Sequence, residues 1–89
     1  MAYGIAAFRS RQQVLAFEAA LRRAGLEASV IHTPHEIAIG CGLSVRFRSD
    51  QYDAVRRIYE RHPMTAFVGF YLAEPQGTRL NLKPMYQQK

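Results

Sequence analysis

The chain has 89 residues, 48% of them hydrophobic, and carries a formal net charge of +5 with an isoelectric point near 9.9. This length suits one small globular domain and excludes a second, and no apolar run reaches the ~18 residues of a membrane helix. The single cysteine, Cys41, excludes an internal disulfide. Because the N-terminus also lacks a signal-peptide pattern, we expect an unprocessed cytoplasmic protein with a free thiol.

The first quarter of the chain predicts a strand followed by a helix. Tyr3 to Phe8 is short and apolar, as in a strand. Ser10 is suited to cap the helix, with Gln13 as its reciprocal partner, and Gly25 is expected to end it. The apolar positions of this helix share one face: Val14, Phe17, Leu21 and Ala24.

Two strands are predicted next. Ala28 to Thr33 alternates and is ended by Pro34. Leu43 to Arg48 alternates more cleanly, which indicates a half-buried strand. Leu43, Val45 and Phe47 point to one side of this strand, and Ser44, Arg46 and Arg48 point to the other.

A second helix and a last strand complete the regular part of the chain. Ser49 is expected to cap the helix, which Pro63 ends. Thr65 to Leu72 is rich in β-forming residues. The order β-α-β-β-α-β predicts an α+β fold, the ferredoxin-like plait, with a four-stranded antiparallel sheet and both helices on one face.

The predicted plait covers residues 1–72 and leaves one sheet face without helices. By strand parity, the last strand directs toward that face either Ala66, Val68, Phe70 and Leu72 or Phe67 and Tyr71. We expect a homo-oligomer through this open face, because contiguous apolar surface is seldom left bare. Residues 73–89 show a faint alternation from Arg79 to Leu82, and the alternatives are a tail and an added edge strand. We predict a C-terminal extension, partly ordered or pairing with a neighbour.

The setting of Cys41 supports two interpretations. Strand parity places it on the core side with Leu43, where a free cysteine commonly serves as a small hydrophobe. Its neighbours Gly40 and Gly42, however, allow positive-φ or bulged backbone, so that the thiol is accessible. Backbone amides, Arg46 and His35 would then favour the thiolate.

The stretch TPHEIAIGCGLSVRF resembles the signature of a family of small bacterial domains described as putative selenium/sulfur carrier protein-like. The matching residues are Pro34, Glu36, Ile37, Cys41, Gly42, Leu43, Arg46 and Phe47, and the resemblance extends over residues 3–72. The chain departs from the family pattern at His35, where the family usually has Arg, at Ile39 and Gly40, which replace small polar residues, and in its longer tail.

The resemblance implies a thiol protein that carries sulfur or selenium between enzymes. Our hypothesis is that Cys41 receives the atom from a donor protein, holds it as a persulfide or selenylsulfide, and passes it to an acceptor protein. Arg46 and His35 would stabilise the anion. The other predicted binding residues are Gly40, Gly42, Glu36 and Arg48. This is group transfer by a carrier rather than turnover by a stand-alone enzyme, and no cofactor is expected.

Three other functions were weighed. His32, His35 and Cys41 offer nitrogen and sulfur ligands, but their spacing is a weak metal signal, so no metal is predicted. An RNA-binding module would place Arg46 and Arg48 on phosphates, yet TAFVGFYL lacks the basic-Gly pair of the RNA-binding motif, so nucleic acid is not expected. The third alternative is a protein-docking module in which Cys41 is incidental.

Overall fold

The computed structural model describes residues 1–37 and 41–87, which form five strands and two helices. Gly40, one of the predicted site residues, lies outside the described residues. In chain order the elements are β1 (Tyr3–Phe8), α1 (Arg11–Arg23), β2 (Ala28–His32), β3 (Leu43–Arg48), α2 (Tyr52–Arg61), β4 (Phe67–Gln76) and β5 (Arg79–Gln87). The predicted α+β class and the positions of the first three strands agree with this structure, whereas the fourth strand, predicted over Thr65 to Leu72, is found at Phe67–Gln76.

The strands form one antiparallel sheet in the spatial order β2-β3-β1-β4-β5. The prediction of four strands was wrong, because the chain after Leu72 continues the sheet. β4 runs on to Gln76, turns at Gly77, and β5 returns beside it from Arg79. Gly77 has φ +63, a conformation that glycine adopts without steric cost.

The start and end of α1 follow the sequence signals, with one difference. The Gln13 amide donates to the Ser10 side chain at 3.3 Å, so Ser10 is the N-cap. The Gln13 side chain does not return to Ser10. It donates to Thr65 Oγ1 at 3.0 Å and accepts from the Ala66 amide at 2.8 Å, which ties α1 to the segment before β4. Gly25, with φ +84, follows the last turn.

The predicted cap of α2 is not formed. Residues Ser49–Gln51 make a short 3-10 turn, and Ser49 Oγ donates to the Ala2 carbonyl at 3.4 Å instead of capping α2. The helix then ends at Arg61, one residue before His62 and two before Pro63, as the proline predicts.

Both helices pack on one side of the sheet. Val14, Phe17 and Leu21 from α1 and Val55 and Tyr59 from α2 are buried in a cluster with inward-facing strand residues. The strand residues of this helix-side cluster are Ala6, Phe8, Ala28, Val45, Phe47, Phe67 and Phe70. Tyr59 and Phe67 are close neighbours in it, with ring centroids 4.1 Å apart. Burial of these side chains is the main favourable contribution to the stability of the fold.

The opposite sheet face carries a second, smaller apolar cluster. Its buried members are Ile5, Ala7, Ile37 and Ala73, and Tyr3, Ile31, Val68, Tyr71, Leu80 and Leu82 pack against them. Neither parity predicted for the last strand is correct. The register shifts opposite Ala7 and Phe8, so that Phe67 and Phe70 both join the helix side while Val68 and Tyr71 lie on the open face.

A glycine in β1 allows an aromatic ring to lie across the sheet. Gly4 is paired with Phe47 on β3, and a Cβ atom at Gly4 would overlap the ring of Phe47. The glycine therefore provides the space that this ring occupies in the helix-side core, where Phe47 is 2% exposed.

Candidate functional site

The backbone of Cys41 and Gly42 joins the ends of two strands. The Cys41 amide donates to the Phe8 carbonyl at the end of β1, at 3.1 Å, and the Gly42 carbonyl accepts from the Thr33 amide just beyond β2, at 2.8 Å. The position of the thiol is therefore set by contacts to two different strands. Because the Cys41 amide donates to Phe8, it is not one of the backbone amides that were expected to face the sulfur.

The Cys41 side chain lies on the helix side of the sheet and is partly exposed. It packs against the helix-side cluster, as strand parity predicted, without being sealed inside it. Its Sγ donates to the Leu43 carbonyl at 3.4 Å, a hydrogen bond that requires the protonated thiol. The thiol is thus free, within reach of solvent, and held by one weak hydrogen bond.

Gly42 adopts the backbone conformation that its sequence position suggested. Its φ is +91, and among the described residues a Cβ atom added there would meet nothing within 4 Å. The glycine therefore serves the backbone conformation rather than a close packing contact. It also leaves the space next to Cys41 without a side chain.

His35 and Glu36 lie in the turn after β2. The His35 side chain is 95% exposed, and its Nδ1 is 3.6 Å from Glu36 Oε1. The Ile37 amide closes the turn on the Pro34 carbonyl at 2.9 Å. In the described part of the chain, the contact found for His35 is thus with Glu36.

Arg46 and Arg48 lie on the sheet face opposite the Cys41 side chain. The Arg46 guanidinium sits over the Tyr3 ring, 4.0 Å from its centroid. Arg48 binds Asp50 through two hydrogen bonds of 3.1 and 2.6 Å. These bonds raise the pKa of Arg48 above its usual value. The structure therefore does not bring Arg46 or Arg48 to the thiol.

The described residues contain no group of three or more His, Cys, Asp or Glu side chains arranged to hold a metal ion. His32, considered as a ligand with His35 and Cys41, is the exposed last residue of β2. No helix within residues 1–37 and 41–87 is long and apolar enough to cross a membrane.

Sequence reasoning missed two partners of Cys41, the carbonyls of Phe8 and Leu43. Neither leaves a signal in the sequence, because every residue has a carbonyl group. The contact with Phe8 arises only when β1 and β3 pair, and the contact with Leu43 depends on the backbone turn at Gly42. The contact between Arg46 and Tyr3 could have been predicted in part, since strand alternation already placed Arg46 on the open face.

The fold and the site together define a small α+β protein with one free, partly exposed thiol at the irregular start of a central strand. Residues 3–69 match the family model described as putative Se/S carrier protein-like, which covers most of the chain. The chain belongs to this family. Searches of curated proteins and of solved structures found no match.

Proposed function

We propose that the protein carries sulfur or selenium on Cys41 between a donor and an acceptor protein. The observation that carries this proposal is a free thiol, partly exposed at the start of β3, within the region matched by the Se/S carrier-like family. A carrier needs such a thiol, because the atom must be received from one partner and then exposed to another.

The loading step conserves atoms and electrons. The Cys41 thiolate attacks the outer sulfur of a donor persulfide, a new S–S bond forms, and the donor's own S–S bond breaks. The donor leaves as a thiolate, which takes up the proton that Cys41 released. Delivery is the same exchange with an acceptor thiolate as the attacking group. A donor selenylsulfide would transfer selenium in the same way.

The surroundings of Cys41 suit this exchange. Ionisation ends the hydrogen bond to the Leu43 carbonyl, which frees Sγ to turn toward solvent. Gly42 leaves that side without a side chain. His35, exposed on the turn between β2 and β3, is kept as a candidate contact for the bound anion.

Loading and transfer can be measured on the single thiol. The folded protein is incubated with glutathione persulfide, and its intact mass is compared with that of Cys41→Ser. We expect an adduct of one sulfur atom on the parent and none on the variant, and release of that sulfur to cyanide as thiocyanate. A Cys41 that is alkylated by iodoacetamide more slowly in the folded chain than in urea, and that accepts no sulfur, would contradict the proposal.

We also propose that the first four strands and both helices constitute a ferredoxin-like plait. The support is the spatial order β2-β3-β1-β4, with each helix joining two strands and both helices on one face. A lone unpaired cysteine suits the reducing cytoplasm, where we place the protein.

The second apolar cluster supports self-association through the open face. Ile31, Val68 and Leu82 are among the half-buried side chains on that face. A second copy would remove their remaining surface from water. Light scattering after gel filtration tests this: Leu82→Glu is expected to give a monomer where the parent is a dimer, and a monomeric parent would refute the interface.

A further inference from the structure

The end of the sheet away from Cys41 contains a second candidate site. There β1 and β2 begin and β3 ends, and the surface forms an open depression of about 1000 Å³. Its lining includes Tyr3, Arg22, Leu26, Arg46, Arg48 and Asp50. This volume lies at the upper end of the range found for small-molecule sites.

The charges around this depression differ in how they are satisfied. Arg22 Nη1 is 3.2 Å from Glu18 Oε2, and Arg48 Nη2 is 2.6 Å from Asp50 Oδ2, so both arginines have carboxylate partners. Arg46 has no carboxylate within ion-pair distance among the described residues, although Glu27 also lines the depression. Among the arginines that line the depression, it is the one without a carboxylate partner in the described part of the chain.

Arg46 is nevertheless held in place. Its guanidinium lies over the Tyr3 ring at 4.0 Å, an attraction between a cation and the negative face of the ring. Contact through the flat face of a guanidinium leaves its in-plane N–H donors free, and those donors match the two oxygens of a carboxylate or a phosphate. The Arg46 guanidinium therefore lies against the Tyr3 ring, and its donors have no hydrogen-bond partner among the described residues.

This site is separate from the thiol. Arg46 is five residues beyond Cys41, which corresponds to roughly 16 Å along an extended strand, and it projects from the other sheet face. The carrier step needs no group from this depression.

We propose that the depression binds a small organic anion, with Arg46 as the main contact for its phosphate or carboxylate group. Leu26 and Tyr3 provide apolar wall for the organic part. Because the depression is far larger than a single phosphate ion, the ligand has about the size of a nucleotide or a dicarboxylic acid with its substituents.

The test is an NMR titration of the ¹⁵N-labelled full chain in about 0.15 M salt, where weak surface attraction is screened. The probes are AMP, succinate and inorganic phosphate, and the signals are the Arg46 Nε–Hε group and the Tyr3 amide. We expect saturation by AMP or succinate with a dissociation constant below about 1 mM. Whichever of the two binds more tightly identifies the anionic group.

Two arginine variants separate a site from a general effect of charge. Arg46→Gln is expected to weaken binding at least about tenfold, whereas Arg57→Gln, which removes the same charge from an exposed position outside the depression, is expected to leave it unchanged. Tyr3→Leu keeps all charges but removes the ring beneath Arg46, and should weaken binding severalfold. Cys41→Ser should bind as the parent does.

Several results would overturn the proposal. These are equal weakening by Arg46→Gln and Arg57→Gln, no saturation by AMP or succinate, or inorganic phosphate binding as tightly as AMP. The last result would assign the site to the free anion. If Arg46→Gln fails to fold, Tyr3→Leu still tests the proposal, because it should weaken binding of the anion without changing any charge.

Discussion

Gly4→Ala is expected to destabilise the protein through a single steric conflict. The added Cβ atom would overlap the Phe47 ring, and this ring has little freedom to retreat. Its centroid lies 6.4 Å from that of Tyr52, in a stacked arrangement, and 5.9 Å from that of Phe70, edge to face. The substitution therefore forces a shift in a core position that is 2% exposed.

The size of the effect follows from two opposing contributions. Overpacking a closed core costs about 1–3 kcal/mol, and the confined ring places Gly4→Ala near the upper value. Replacing glycine lowers the entropy of the unfolded chain, which offsets up to about 1 kcal/mol. We expect a net loss near 2 kcal/mol, or about 10 °C in melting temperature for a chain of this length.

Circular dichroism melts and urea unfolding of the parent and of Gly4→Ala measure this loss. Gly77→Ala is the control, since an added Cβ at this hairpin position meets nothing within 4 Å and only its φ of +63 opposes the change, at about 1 kcal/mol. Phe47→Leu should partly rescue Gly4→Ala, with a coupling of about 1 kcal/mol or more. A Gly4→Ala protein as stable as the parent, or no coupling, would refute the reasoning.

Three further predictions concern other contacts. Gln13→Ala should lower the free energy of unfolding by about 1–2 kcal/mol, because it leaves the Ala66 amide without its acceptor. Gln12→Ala, at an exposed position, should change it very little, and equal urea midpoints for the two variants would contradict this. Gly42→Ala should lose about 1–2 kcal/mol because of its φ of +91, and a parent-like melt would show that the strain is relieved. Burial raises the pKa of Tyr59 in the folded protein. The neutral phenol therefore contributes its full stabilisation below pH ~10, and this contribution is lost as pH rises through the raised pKa. Urea midpoints from pH 8 to 11 should fall less steeply for Tyr59→Phe than for the parent, and parallel curves would exclude Tyr59 as the cause.

The regular elements were predictable where one local rule decided them. The alternation at Leu43 to Arg48 and the glycine after α1 gave the right strand and the right helix end. β5 was not predicted as part of the sheet, because its alternation is short and Pro84 interrupts it. Backbone pairing with the second half of β4 stabilises β5 as a strand, and the sequence of β5 alone does not predict this pairing.

The errors inside predicted elements arose from contacts between distant residues. The irregular register near Phe8 changes the face of Phe67, and no pattern within β4 contains that information. Gln13 has a suitable capping position, yet the Ala66 amide competes for its side chain. Such competition is decided only once α1 and β4 are packed together.

The sequence predicted the position of Cys41 and the backbone of Gly42 in the candidate site, but not the position of Arg46. Parity placed Cys41 on the helix side, and Gly42 indicated the irregular backbone. Arg46 was expected beside the thiol on the interpretation that Gly40 and Gly42 break the regular pleat and leave Cys41 accessible. β3 is regular from Leu43, however, and Arg46 lies on its other face, over Tyr3.

β5 also protects the protein from aggregation. Without it, the ten residues of β4 would present a row of unpaired backbone groups, which other chains can extend into fibrils. With β5 present, the edge on this side of the sheet is β5, where Lys83 and Pro84 oppose such pairing by charge and by the missing amide hydrogen. A version truncated after residue 76 is therefore expected to be poorly soluble, although it retains Cys41 and every residue matched by the family.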